Sequence, residues 1–208
     1  MNLKKHLDRA AQALERGQAD FAAELCDQVM DFAPGERRAA ELLTAAVVAL
    51  GEGKSNLLNK LGSGPSGLAA KFSKLTRNPD AEARSMRRAF MKDPGNPAKG
   101  LSWADALERA GYAGAALGVF GGLAEVSGDA AKRAGGLAAA QGEVDDALDY
   151  YQQALDRNPR DTEAMRARKN LAAEQALRTK SYEDDGASGL DSEAFLRAAR
   201  GEEEPEAE

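Results

Sequence analysis

QGEVDDALDYYQQALDRNP, residues 141–159, is the most regular stretch of this 208-residue chain. After Glu143 the apolar and aromatic residues fall at Val144, Ala147, Leu148, Tyr151, Ala154 and Leu155, in steps of three, one, three, three and one. That is the period of one helical face. Glu143, Asp145 and Asp146 sit where a first turn would be, and acids there complement the positive end of the helix dipole. Gly142 has no Cβ and suits a tight turn ahead of the helix. Asn158-Pro159 stops it, because proline lacks an N–H and drives the preceding residue out of the helical region. The run before it, residues 129–141, is alanine-rich with a Gly135-Gly136 pair, so two antiparallel helices can approach closely. A hairpin of this kind buries one side of each helix, and its other apolar side requires a stacked neighbour.

On these residues the segment resembles the tetratricopeptide repeat (TPR) family. Gly135, Ala138, Gly142, Ala147, Tyr151, Ala154 and Pro159 stand at the spacing of the family's small, aromatic and proline positions. The resemblance implies an all-α fold, a right-handed α-solenoid of antiparallel helix pairs, whose concave groove holds a partner peptide or helix. It specifies a fold better than a function. The carboxylate clamp by which chaperone-binding members of that family hold peptide C-termini is absent: Leu7 and Ala11 stand where the family uses Lys and Asn.

Weaker copies flank the central unit. Ala22, Cys26, Val29 and Pro34 keep the spacing of Ala147, Tyr151, Ala154 and Pro159, so residues 2–35 form a first unit. Residues 36–61 read as a truncated second unit: a helix to Leu50, a break at Gly51-Glu52-Gly53, a short amphipathic piece, and a second break at residues 62–65. A bend of the array is expected there. Units follow at 65–94, 97–128 and 129–159, with a capping helix over 160–179. Pro94, Gly128 and Pro159 close successive units at separations of 34 and 31 residues, bracketing the roughly 34-residue period of the repeat class. The glycines at 114, 118, 121 and 122 weaken their helix intrinsically, by about 1 kcal/mol each relative to alanine. Together residues 1–180 make one repeat domain. Residues 181–208 form a flexible acidic tail, disordered by composition, with a short helix expected over 191–200.

Composition narrows the chemistry. β-branched residues are sparse, which argues against a sheet. Cys26 is the only cysteine and His6 the only histidine, so no intramolecular disulfide and no Cys/His zinc site of about four ligands can be built. Cys26 falls on an apolar face and reads as a buried thiol. The N-terminus is basic without an apolar core, unlike a secretory signal. No run of about 18 apolar residues offers a membrane span. These features point to a cytoplasmic protein with no membrane insertion, no metal and no cofactor. GEGKS, residues 51–55, resembles the end of a phosphate-binding loop. However, Val48 stands where the signature needs glycine, and the motif follows a helix rather than a strand.

Charge is distributed unevenly. Residues 54–99 hold ten Lys/Arg against three acids, and residues 183–208 ten acids against two Arg. Two functional readings follow. In the first, the chain is a non-catalytic protein–protein interaction scaffold or adaptor, its groove holding a protein or peptide partner. In the second, it is a regulatory protein whose basic middle binds an acidic partner or nucleic acid and is masked by the acidic tail. Nucleic acid is the weaker choice, because few aromatics are placed to stack on bases and the net charge is −6. An enzyme is disfavoured by the absence of a catalytic constellation. Self-association stays open. The candidate contact residues are Lys71, Lys74, Arg84, Arg87, Arg88 and Lys92 on the basic stretch, Trp103 and Tyr112 as groove anchors, and Phe195 and Leu196 as a docking element in the tail. Solvated helix faces, core packing for the aromatics, and a disordered tail are the plain alternatives.

Overall fold

A computed structural model describes residues 2–54 and 78–177, and within them nine α-helices and no strands. We number them α1 (Leu3–Glu15), α2 (Ala19–Phe32), α3 (Arg37–Lys54), α4 (Pro79–Lys92), α5 (Pro97–Arg109), α6 (Ala113–Leu123), α7 (Gly128–Ala140), α8 (Val144–Arg157) and α9 (162–177). The proposed helix over 191–200 and the break at 62–65 lie outside the described residues.

Two kinds of turn alternate along the chain, and each has a local cause. The first kind ends α1, α5 and α7 at Gly17, Gly111 and Gly142, with φ of 73°, 84° and 80°. The residue after each glycine donates back five residues: Gln18 N–H to Ala13 O (2.8 Å), Tyr112 N–H to Leu107 O (2.9 Å) and Glu143 N–H to Ala138 O (3.0 Å). This left-handed cap satisfies carbonyls that the helix end leaves free. The second kind ends α2, α4 and α8 at Ala33, Asp93 and Asn158, with nearly equal φ of −133°, −134° and −136°. Each precedes a proline, which forbids the helical region to its neighbour. Glycine turns inside the α1–α2, α5–α6 and α7–α8 pairs and proline stops after α2, α4 and α8 make the described residues an all-α array of antiparallel helix pairs. α6 departs from the rule: it ends without proline, and Ser127 caps α7 through Ala130 N–H (3.3 Å).

One core runs from α1 through α8, with Met30, Leu43, Val47, Phe90, Trp103, Leu107 and Phe120 buried. A smaller cluster joins Tyr151 and Ala154 to Ala164 at the start of α9. Tyr151 lies over Gly135, while its neighbour Tyr150 is half-buried with its hydroxyl against Gly121.

One expectation needs correction. The break at Gly51-Glu52-Gly53 does not occur, since α3 runs through to Lys54. Gly51 is instead a place of close approach: a Cβ there would sit 2.5 Å from the carbonyl oxygen of Pro94. The α6 glycines also have a packing role. Gly118 meets Arg37 and Glu41, and Gly122 meets Glu41 and Thr44, so α6 lies alongside α3 and runs in the same direction. Side chains there would hold the two backbones apart. Thus α3, a first helix by its place after the α2 proline stop, packs on α6, the second helix of its own pair. Arg37 ties this seam to α8, donating from Nη1 to both Glu143 carboxylate oxygens at 2.6 Å.

Candidate functional site

α4 is built from both ends. Asn78 accepts from Ala81 N–H (3.1 Å) and Pro79 occupies the first turn, a position where its missing N–H is harmless. Asp80 and Glu82 lie in the first turn and Lys92 in the last, matching the dipole at both ends. Glu82, Ala83, Arg87 and Phe90 face inward. Arg84, Arg88 and Lys92 recur every four residues on the solvent side, and all three are exposed. At about 1.5 Å per residue the row spans about 12 Å. No carboxylate among the described residues pairs with any of the three.

Arg87 does not belong to this row. Its side chain is 3% exposed and lies between two acids of α2, Nε 2.7 Å from Asp27 Oδ1 and Nη2 2.5 Å from Asp31 Oδ1. The first contact is a charge pair whose N–H points off the oxygen. Arg87 is one residue short of the exposed row, and on a helix that step is a rotation of about 100°. Its guanidinium therefore fastens α4 to α2 instead of meeting solvent. Asp27 and Asp31, spaced by four on α2, are the partners the sequence reading missed. Their signal was a pair of acids one turn apart, bordering the apolar face of α2. On the other flank of α4, Glu82 accepts from Arg109 of α5 at 2.7 Å.

Trp103 is 1% exposed, its ring centroid 6.1 Å from that of Phe90 with planes at 33°. It fills the space between α4 and α5 and presents no surface to a partner. Tyr112 is half-buried at the turn between α5 and α6, its ring against Gly35. The Asp80 carboxylate beside the phenol, together with burial, holds its proton above the ordinary tyrosine range. Arg84 acts on the same phenol in the opposite direction, so Tyr112, Asp80 and Arg84 form one group beside the start of α4. Lys71, Lys74, Phe195 and Leu196 lie outside the described residues.

Burial pushes the Cys26 thiol up to about 12, away from the thiolate that a nucleophile needs. Among the described residues, no three His, Cys, Asp or Glu side chains come together to hold a metal ion. Residues 51–54 of the GEGKS motif are helical, so their N–H groups do not form a phosphate-cradling loop. An open hollow of about 950 Å³ lies between the α1–α2 turn and the end of α3, lined by Leu14, Phe21, Ala49 and Leu50 among others. Phe21 of α2 is 41% exposed there and carries the Arg9 guanidinium 5.9 Å from its ring centroid. No helix among the described residues is long and apolar enough to cross a membrane.

No family model matches the chain, and no curated protein matches it. Among solved structures it is similar to a thermophilic TPR protein of Thermus thermophilus, at 16% identity and a TM-score of 0.41, over 82% of this chain and 99% of that one.

Proposed function

We propose that the chain is a non-catalytic interaction scaffold whose array of helix pairs presents α4 to an acidic segment of a protein partner. One observation carries this reading: Arg84, Arg88 and Lys92 form an exposed row without carboxylate partners among the described residues, on a helix that Arg87 and Glu82 anchor on both flanks. The rest of the helix is fixed by buried contacts, so the row is held ready and little ordering is needed on binding. The expected ligand is an acidic helix or extended peptide with carboxylates about one turn apart. Its association is steered by charge and weakens with salt.

The test compares the intact chain with the variant Arg84→Glu, Arg88→Glu, Lys92→Glu, using crosslinking and affinity capture from cell extract. The same row could hold phosphates, so both proteins are also titrated with labelled single- and double-stranded DNA at about 50 mM salt. Loss of one specific protein from the capture, with the fold intact by circular dichroism, is the expected result. Capture that is identical for both proteins refutes the assignment of the row. Tight, steeply salt-dependent DNA binding by the intact chain alone transfers the row to nucleic acid.

A further inference from the structure

α9 is a helix with only one side covered. Ala164, Ala167 and Leu171 pack toward α8 and Tyr151, and Asp161 caps its start by accepting from Glu163 and Ala164 N–H groups at 3.1 and 3.0 Å. Its outward half exposes Met165 (50%) and Leu177 (69%), with Arg166, Lys169, Ala172 and Ala176 between them. Met165, Lys169, Ala172 and Ala176 follow at steps of four, three and four, which places them on one flank. This flank is apolar at both ends, small in the middle and cationic, with no acid among those residues. The first helices α1, α5 and α7 are each followed after a glycine turn by an antiparallel second helix. α9 is a first helix by its place after the α8 proline stop, yet no described helix takes that position.

We infer that the outward flank of α9 is a docking surface for the chain's own residues 190–200, LDSEAFLRAAR. Three observations select this occupant. Its Phe195, Leu196 and Ala199 supply the apolar side chains that Met165, Ala172 and Leu177 lack. The tail around it carries the opposite charge to the flank, ten acids against two arginines over residues 183–208, so Arg166 and Lys169 meet acids on either side of the apolar contact. The twelve residues between Leu177 and Leu190 reach up to about 40 Å when extended, against about 24 Å for the length of α9. The segment can therefore lie along the flank in either direction. Tethering at this length also raises its local concentration to the millimolar range, about what a short linker provides.

Amide hydrogen exchange across 162–177 tests this in the full chain, in a chain ending at Thr179, and in the full-length variant Phe195→Asp, Leu196→Asp. The expected result is exchange of the 165–177 amides about tenfold faster in both altered proteins, with α5 to α8 unchanged, because local protection follows the local opening free energy. A Met165→Cys, Leu196→Cys pair in a Cys26→Ala background should then crosslink within one molecule. Equal α9 exchange in all three proteins overturns the inference. So does a crosslink found only between molecules, with a concentration-dependent mass in ultracentrifugation, which would assign the flank to a second copy. This outcome is independent of the α4 row, so either reading can fail without the other.

Discussion

Replacing Gly118 with alanine reverses the usual effect of that substitution. In a helix interior alanine is favoured over glycine by about 1 kcal/mol, so propensity alone predicts a more stable protein. At Gly118, however, the added Cβ would overlap the Arg37 carbonyl oxygen and lie 3.1 Å from Glu41 N. Both are backbone atoms of α3, and they cannot rotate aside as a side chain can. Overpacking of a core costs about 1–3 kcal/mol, and a rigid neighbour puts this site at the upper end. The net effect is a loss of about 2 kcal/mol, combining both terms. With a urea dependence of about 2 kcal/mol per molar, the unfolding midpoint falls by about 1 M. Gly136→Ala is the matched control. It lies inside α7, is exposed, and its Cβ would find only Tyr151 Oη at 3.7 Å, so its midpoint should rise by up to about 0.5 M. Urea unfolding followed by the fluorescence of Trp103, the only tryptophan, reads both. A Gly118→Ala midpoint equal to or above that of the parent refutes the close parallel packing of α3 on α6.

Three further outcomes are expected. Arg87→Met keeps the aliphatic volume but leaves Asp27 and Asp31 facing each other. Because these acids keep some water, at 30% and 45% exposure, the loss should be about 2–3 kcal/mol, below the 3–5 of a fully buried broken pair. Adding Asp27→Asn and Asp31→Asn should recover much of it in the same urea assay, and no recovery would count against the charge explanation. The Asp161 carboxyl is held below its ordinary value of 3.8 by the Ala164 N–H and then by Lys132. Its ionised form therefore stabilises the fold above that value, and the contribution is lost as pH falls through the lower folded value. Parent and Asp161→Asn should differ at neutral pH and converge in acid, whereas a constant gap across the titration contradicts this. The Cys26 thiol, buried and raised to about 12, should resist alkylation at about pH 8 until denaturant is added; rapid labelling of the native chain would show an open route to α2.

The helix pairs were readable from the chain because their causes are local. Gly17, Gly111 and Gly142 adopt positive φ within their own turns, and Pro34, Pro94 and Pro159 restrict only the residue before them. Apolar periodicity likewise marked the inward faces of α2 and α8. Which helix lies against which was not readable. Gly51 and Gly118 look alike in sequence to helix-weakening glycines, and only the approach of Pro94 and Arg37 shows them as contact points. Arg87 and Arg88 are adjacent cations of equal propensity, yet one is buried between Asp27 and Asp31 and the other meets solvent. The partners of Arg87 lie about 60 residues away, 56 in the case of Asp31. Trp103 satisfied equally well the patterns of a groove anchor and a core residue until α4 placed Phe90 beside it. Backbone preference and periodicity act over a few residues and are written along the chain. Burial of a charge, or contact of a glycine, depends on the surface that another helix brings, and that is fixed only when the helices pack.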